Sequence, residues 1–192
     1  MGINIEELNL IEKYIKKKSK DKIRMIELGN QVIIPFDLKS TGRVAKHYFE
    51  SIGIEHISMD LNGEDGALTY NFDHDIKDYN NWADLVTNSG TLEHVNNQYM
   101  AFKNMHNFCS IGGYMIHVLP PTGFWHGHCD YFYTEEFFKN LAEKNDYDIL
   151  DLYEYYRPGN ENLFHCVFRK NKESFIEENE FNILKQKYIK SK

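Results

Sequence analysis

Several features are scarce or missing in this sequence. No apolar stretch approaches the roughly 20 residues that a membrane-spanning helix needs. The first residues lack the basic start and the apolar block of a secretory signal. Cysteine occurs only three times, at scattered positions, and this odd number argues against a disulfide framework. These absences predict a cytoplasmic protein with reduced thiols and no membrane partner.

Basic residues are also in short supply. Lysine and arginine total 22 against 29 aspartates and glutamates, which gives a formal net charge of −7. Nucleic-acid-binding domains usually carry a basic face. The basic run Lys16–Lys20 is better interpreted as the solvated end of a helix than as a phosphate contact. We therefore expect no nucleic-acid partner, whereas a cationic small molecule suits an acidic protein.

The hydrophobic pattern predicts an α/β protein. Apolar runs predict buried strands at residues 23–28, 54–60, 83–88 and 112–119, and helical spacing predicts helices at residues 3–20, 41–51, 95–109 and 134–144. Residues 147–155 and 162–169 flank the turn Arg157–Asn160 and predict an antiparallel pair. The expected fold is an open, mostly parallel sheet with an antiparallel C-terminal edge hairpin and helices on both faces.

The length of 192 residues suits one domain with its own core. Along the chain we expect an N-terminal helix over residues 1–21, a main domain over 22–170 and a tail helix over 171–192. The tail is charged and only weakly amphipathic, so its predicted position is peripheral.

The connection after the second predicted strand is unusually short. Only residues 61–66 separate that strand from the extended stretch 67–72. A parallel crossover normally needs about a dozen residues or more. We therefore expect the crossover helix to be missing or vestigial, and the stretch 67–72 to be an antiparallel edge piece or an irregular strap.

One segment ties this pattern to a known family. Residues 83–95 read Ala-Asp-Leu-Val-Thr-Asn-Ser-Gly-Thr-Leu-Glu-His-Val, a strand and a polar turn followed by Glu-His-Val. Gly112-Gly113 then opens a strand that ends at Pro120, and Tyr133 to Phe138 resembles a late helix start. Over roughly residues 22–170 the chain resembles the class I S-adenosylmethionine-dependent methyltransferases. The resemblance implies a Rossmann-like fold, S-adenosylmethionine as cofactor and S-adenosylhomocysteine as product.

The resemblance also implies cofactor-binding residues at the strand ends. Asp60 would accept the ribose hydroxyls, although it can also be read as a turn aspartate. Glu27 and Gly29 would lie against the methionine part of the cofactor, unless they only end a strand. Asp73 would hold the adenine amino group, in competition with Asp75. The full expected set is Glu27, Gly29, Asn30, Asp60, Leu61, Asp73, Asn88 and Ser89.

The first motif departs from the family pattern of an acidic residue followed by G-x-G-x-G. Here the chain reads Glu27-Leu28-Gly29-Asn30-Gln31, so Gln31 stands in place of the second glycine. The departure is less serious than in a dinucleotide enzyme, because S-adenosylmethionine carries no phosphates for the backbone to cradle.

Histidines are the candidates for catalysis. His94 would either hydrogen-bond near the sulfonium or the substrate, or cap a helix beside Glu93. His126 and His128 lie in the aromatic stretch 122–133, where we expect the acceptor; they would act as a base or simply hold the loop. No matching Cys or Asp set at metal spacing accompanies them, so no metal site is expected. The expected acceptor is a small molecule or a sugar-like hydroxyl.

Two other functions stay open at this point. A nicotinamide-dependent oxidoreductase uses a similar sheet, but its G-x-G-x-x-G motif is missing here. A non-catalytic relative would keep the fold as an interaction module and would not retain S-adenosylmethionine. The sequence does not indicate the oligomeric state.

Overall fold

The computed structural model describes residues 2–18, 22–34, 43–125, 127–156, 162–184 and 189–190. Its strands are β1 (Gly2–Ile3), β2 (Arg24–Leu28), β3 (Val32–Ile33), β4 (Arg43–Val44), β5 (Glu55–Asp60), β6 (Leu68–Thr69), β7 (Ala83–Ser89), β8 (Cys109–Leu119), β9 (Tyr131–Phe132), β10 (Tyr147–Tyr155), β11 (Leu163–Lys170) and β12 (Ile189–Lys190). Its α-helices are α1 (Ile5–Lys17), α2 (Ala45–Ser51), α3 (Gln98–Phe108), α4 (Glu135–Asn145) and α5 (Glu178–Leu184).

The main sheet has seven strands in the order β10-β11-β8-β7-β2-β5-β6. Strands β8, β7, β2, β5 and β6 run parallel, whereas β10 and β11 are antiparallel to each other and β11 is antiparallel to β8. Every residue of β7 is buried, as expected of a strand covered by helices on both faces. The expected mostly parallel sheet with an antiparallel C-terminal hairpin is confirmed. The turn Arg157–Asn160 lies outside the described residues.

Helices pack on both faces of the sheet. Successive residues of each strand point to opposite faces, so neighbouring strand residues contact different helices. Ile26 and Val86 pack in one apolar cluster with α3, α4 and α5, and their neighbours Met25 and Leu85 pack in another with α1 and α2. Side-chain caps start three of these helices: Asn4 Oδ1 accepts from Glu7 N, Asn97 Oδ1 from Met100 N, and Thr134 Oγ1 from Phe137 N, all at 3.0–3.1 Å. The described part of α2 begins at Ala45, and residues 41–42 lie outside the described residues.

The short connection after β5 contains no crossover helix, only a single 3-10 turn at Glu64–Gly66. The pairing that follows corrects one expectation, because β6 is parallel to β5 and not antiparallel. Met59 pairs with Leu68 and Asp60 with Thr69. Only the last two residues of β5 pair with β6, so β6 begins beside the end of β5. A short loop is therefore long enough to connect the two parallel strands.

The C-terminal region also differs from the expectation of a peripheral helix. Within the described residues the helix spans only Glu178–Leu184, and Phe181 in it is fully buried. Beyond it, β12 pairs with β9 in an antiparallel ladder. The tail therefore contributes to the aromatic core, which its charged sequence conceals. No helix among the described residues has the length and apolar character required to span a bilayer.

Candidate functional site

A cleft of about 270 Å³ opens at the carboxyl ends of the parallel strands, where open α/β sheets bind ligands. Its walls come from the ends of β2, β5 and β7 and from the segment between β6 and β7. The lining residues are Asn30, Gln31, Asp60, Leu61, Asn71, Phe72, Asp73, Gly90, Thr91, His94 and Val95. The cleft thus brings together Asn30, Asp60, Leu61 and Asp73 of the expected cofactor set, together with His94.

The turn after β2 is packed tightly against the turn after β7. Gly29 has a φ of 90°, and a Cβ there would lie 2.4 Å from Thr91 Oγ1 and 2.5 Å from Gln31 Nε2. Its N–H donates to Met59 O at 2.7 Å. Only glycine tolerates both this conformation and this approach. Gly29 therefore shapes the wall of the cleft without being one of its lining residues.

Asp60 anchors the rim of the cleft at the end of β5. Its Oδ2 accepts from the backbone N–H of Asn30 at 2.8 Å, and its Oδ1 accepts from the backbone N–H of Asn62 at 3.0 Å. Each carboxylate oxygen has two lone pairs, so each can accept a further hydrogen bond. The carboxylate is fixed in place and still able to bind a pair of hydroxyls.

The two competing aspartates of the next segment take different positions. Asp73 lines the cleft, and its Oδ1 accepts from the backbone N–H of Asn97 at 2.7 Å. Asp75 does not line the cleft; it forms ion pairs with Lys77 and, at 3.9 Å, with Lys103. This placement favours Asp73 over Asp75 as the residue that meets a ligand.

Glu27 lies beneath the cleft, with 1% of its surface exposed. Ser58 Oγ donates to its Oε2 at 2.7 Å, and the backbone N–H of Gln31 approaches the same oxygen at 3.5 Å. Burial raises the pKa of Glu27 to about 8, against the lowering effect of the Ser58 hydrogen bond. Glu27 is thus placed to hold the turn after β2, and its expected role near the cofactor remains a prediction.

Asn88 and Ser89 end β7 as expected, but neither lines the cleft. The Asn88 side chain is fully buried, and its Oδ1 accepts from the backbone N–H groups of Thr91 and Leu92 at 3.3 and 3.1 Å. Asn88 therefore shapes the turn that carries Thr91 into the cleft. Direct cofactor contacts by Asn88 and Ser89 also remain predictions.

Two amide oxygens of the cleft residues have no hydrogen-bond partner: Asn30 Oδ1 and Gln31 Oε1. The Gln31 side chain is 3% exposed, and its Nε2 donates to Thr91 Oγ1 at 3.2 Å. Buried polar atoms are normally paired, so unpaired acceptors beside a cleft mark a place for a donor ligand. With Asp60 and Asp73, they give the cleft a surplus of acceptors, and none of its described lining residues is lysine or arginine.

His94 connects the cleft to the aromatic stretch 122–133. Its ring lies 5.3 Å from that of His128, which in turn lies 5.5 Å from Trp125. Burial, and secondly the charge of His128, lower the pKa of His94. His126, the third expected catalytic histidine, lies outside the described residues.

Sequence reasoning missed Gln31, Asn71, Phe72, Gly90, Thr91 and Val95 as lining residues. Each lies within two positions of an expected residue or in the turn after β7. Their position near a strand end was therefore the available signal. The residue types themselves, such as Phe72, Gly90 and Val95, do not indicate a role in lining a cleft.

Comparisons with known proteins agree with the fold. No family model matches the sequence, and no curated protein resembles it closely in sequence. Solved structures do resemble it, and many are S-adenosylmethionine-dependent methyltransferases with the Rossmann-like fold of class I. The expected fold family is thus borne out at the level of structure.

Particular neighbours cover most of both chains at low identity. The 1,6-didemethyltoxoflavin-N1-methyltransferase of Burkholderia thailandensis, solved with 1,6-didemethyltoxoflavin and S-adenosylhomocysteine, is 12% identical over 86% of this chain and 87% of its own, with a TM-score of 0.59. The N-methyltransferase NodS of Bradyrhizobium japonicum, solved with S-adenosylhomocysteine, is 13% identical over 88% and 89%, also at 0.59. A TehB-like methyltransferase of Corynebacterium glutamicum is 16% identical over 83% and 86%, at 0.55.

Proposed function

We propose that this protein is an S-adenosylmethionine-dependent methyltransferase that acts on a small-molecule acceptor. The observation that carries the proposal is the acceptor-rich cleft at the strand ends of a methyltransferase fold, with Asp60 and Asp73 on its walls. One of the neighbours, the methyltransferase of Burkholderia thailandensis, was solved with 1,6-didemethyltoxoflavin and S-adenosylhomocysteine bound.

The cleft residues fit this methyl donor because its ribose hydroxyls, adenine amino group and ammonium group can all donate hydrogen bonds. Asp60 has free acceptor capacity for the two ribose hydroxyls, and Asp73 for the adenine amino group. Gln31 Oε1 and Asn30 Oδ1 are unpaired acceptors suited to the donor's ammonium group. The bound donor supplies a methyl group already activated on a positively charged sulfur. Acidic walls without lysine or arginine favour that cation.

The same walls argue against the oxidoreductase alternative. A nicotinamide dinucleotide carries a pyrophosphate, which is normally bound by a glycine-rich turn at a helix N-terminus. Here Gln31 fills the turn after β2, and the cleft presents carboxylates to any phosphate that enters. Anion binding in this cleft is therefore disfavoured.

The acceptor is expected beside His94 and the stretch 122–133, which adjoin the cleft. Methyl transfer needs mainly alignment and a dry site, and a base only where the acceptor must lose a proton. His94 and His128 are the described imidazoles at this side of the cleft. A small acceptor with a hydroxyl or amine group fits the acidic, partly aromatic surroundings.

Calorimetry with S-adenosylmethionine, S-adenosylhomocysteine and NAD tests the proposal. Ligand at about 100 times its Kd should stabilise the fold by about 2.7 kcal/mol, a rise in Tm of roughly 5–10 °C. Asp60→Ala should weaken binding by about 1.5–3 kcal/mol, because a carboxylate acceptor is lost.

Asp75→Ala is the matched control, since that carboxylate does not line the cleft. Binding of NAD without binding of S-adenosylmethionine would favour an oxidoreductase. No binding of either would favour a non-catalytic module. A screen with labelled methyl donor and candidate acceptors then identifies the substrate.

A further inference from the structure

We propose that His94, His128 and Cys129 bind one divalent cation of the zinc type at the edge of the cleft. One ligand atom from each of these residues lies within 4.8 Å of the others. His94 follows β7 and the other two precede β9, so the fold brings together ligands that the sequence separates. This proposal departs from the sequence-based expectation of no metal site, which remains untested.

The ligand chemistry suits zinc better than the hard cations. Two imidazole nitrogens and one thiolate sulfur are typical zinc donors, whereas magnesium and calcium prefer oxygen. Bonds of about 2.0–2.3 Å in a tetrahedron place ligand atoms about 3.5 Å apart. The present separations therefore need only a modest closure. The side chains of His94 and His128 are exposed enough to rotate, while Cys129 is buried and fixed.

A buried carboxylate beside the cluster points independently to a cation. Glu93 is fully buried, and neither of its carboxylate oxygens has a hydrogen-bond partner. Its Oε1 lies 3.8 Å from His94 Nε2. Carboxylates commonly pair with metal-bound histidines and orient them, and a nearby cation offsets the cost of burying such a charge. Glu93 thus has the position and the unmet pairing of a supporting residue.

The backbone holds the two ligand-bearing segments together. The N–H of Asp130 donates to Glu93 O at 3.1 Å, and the N–H of His128 donates to Trp125 O at 3.1 Å. The indole Nε1 of Trp125 donates to Asn162 O at 2.8 Å. These bonds fix the loop of His128 and Cys129 against the turn of His94. The site is therefore held by structure outside the ligands themselves.

The position gives the ion a role in binding the acceptor. Three protein ligands leave a tetrahedral ion one open position, as in catalytic zinc sites. Because His94 also lines the cleft, an acceptor oxygen, nitrogen or sulfur in the cleft is suited to that position. A bound cation lowers the pKa of such a group. A histidine nitrogen that binds the ion is not available as a base, so the metal and base roles of His94 exclude each other.

Zinc binding is measured on the full chain after treatment with chelator and dialysis, without any methyl donor. We expect calorimetry and elemental analysis to give one zinc ion per chain. The cobalt-loaded protein should show a thiolate-to-metal charge-transfer band. His128→Asn and Cys129→Ser should each weaken zinc binding at least tenfold, and Cys129→Ser should abolish the band. Glu93→Gln should weaken zinc binding ten- to hundredfold.

His47→Asn is the matched control, because this exposed histidine lies outside the cluster. It should leave zinc affinity unchanged. Circular dichroism checks that each variant is folded. If the variant of the buried Cys129 does not fold, the variant of the exposed His128 still tests the proposal. Substoichiometric zinc, or affinity that His128→Asn does not change, would overturn the proposal. Because zinc alone is the probe, this outcome is independent of whether the protein transfers methyl groups.

Discussion

Gln31 occupies the position where the methyltransferase motif has its second glycine. Its side chain packs against Gly29, and Nε2 donates to Thr91 Oγ1, while the side-chain amide oxygen Oε1 stays unpaired. A buried acceptor without a partner costs about 1–3 kcal/mol. An ammonium group that enters the cleft would recover this free energy. The residue that breaks the motif is therefore itself a candidate ligand for the amino-acid end of the methyl donor.

Gln31→Ala is expected to weaken S-adenosylmethionine binding roughly ten- to hundredfold. The reason is that a hydrogen bond to a charged donor contributes about 1.5–3 kcal/mol. Gln31→Glu keeps an acceptor and should retain binding. Isothermal titration of the three proteins checks this. Tighter binding by the alanine variant would show instead that Gln31 obstructs the cleft.

Helix α5 shows how an element of charged sequence can belong to the core. Phe181 contacts rings from two other helices: its ring centroid lies 5.8 Å from those of Tyr99 and Phe102 in α3 and 6.2 Å from that of Phe137 in α4. Ile183, on the same helix, is 69% exposed. The helix therefore anchors the tail through one buried aromatic face, against α3 and α4.

Phe181→Ala should lower the free energy of unfolding by about 3–5 kcal/mol, the usual cost of emptying a buried aromatic site. Ile183→Ala is the matched control in the same helix and should change it by less than about 0.5 kcal/mol. Urea denaturation of both variants gives the comparison. Equal effects would mean that α5 is a peripheral helix after all.

The stability of the whole molecule should depend on the protonation of Glu27. Burial raises the pKa of its carboxyl from the ordinary value of 4.5 to about 8. Its neighbour His56 stays neutral because burial, with the charge of Lys46, lowers the pKa of that imidazole to about 3. Below pH 4.5 the carboxyl is protonated in both states. Between pH 4.5 and 8 only the unfolded chain loses the proton. The stability that the protonated Glu27 contributes is therefore lost as pH rises toward 8.

Glu27→Gln should therefore flatten the dependence of stability on pH. We expect the wild-type free energy of unfolding to fall with pH between about 5 and 7.5, more steeply than that of the variant by up to about 1.4 kcal/mol per pH unit. Denaturant titrations at several pH values measure both slopes. Other buried carboxyls, such as Glu93, are common to the two proteins and cancel. Parallel slopes would show that Glu27 is ionised in the folded protein.

Much of the architecture follows from local sequence. The run Ala83–Ser89, which includes the apolar residues Ala83, Leu85 and Val86, forms a buried strand where expected, and Thr134 before two glutamates starts α4 where expected. The C-terminal hairpin follows from two alternating runs around a turn. In each case the signal is carried by adjacent residues, because propensity, capping and strand burial act over a few positions. The parallel direction of β6 was missed because pairing depends on a partner strand.

The sequence by itself determined the succession of strands and helices along the chain, the N-terminal cap of α4 at Thr134, and the strand ends at which a ligand cleft forms. Only the tertiary structure decided which polar residues reach that cleft. Asp73 lines the cleft and Asp75 does not. Asn88 and Glu27 are buried and hydrogen-bonded to neighbouring residues instead of lining the cleft. His94 lies beside His128 and Cys129, which are distant from it in sequence. The reason is that side-chain direction and contact between distant segments depend on packing of the whole chain, which no local pattern encodes.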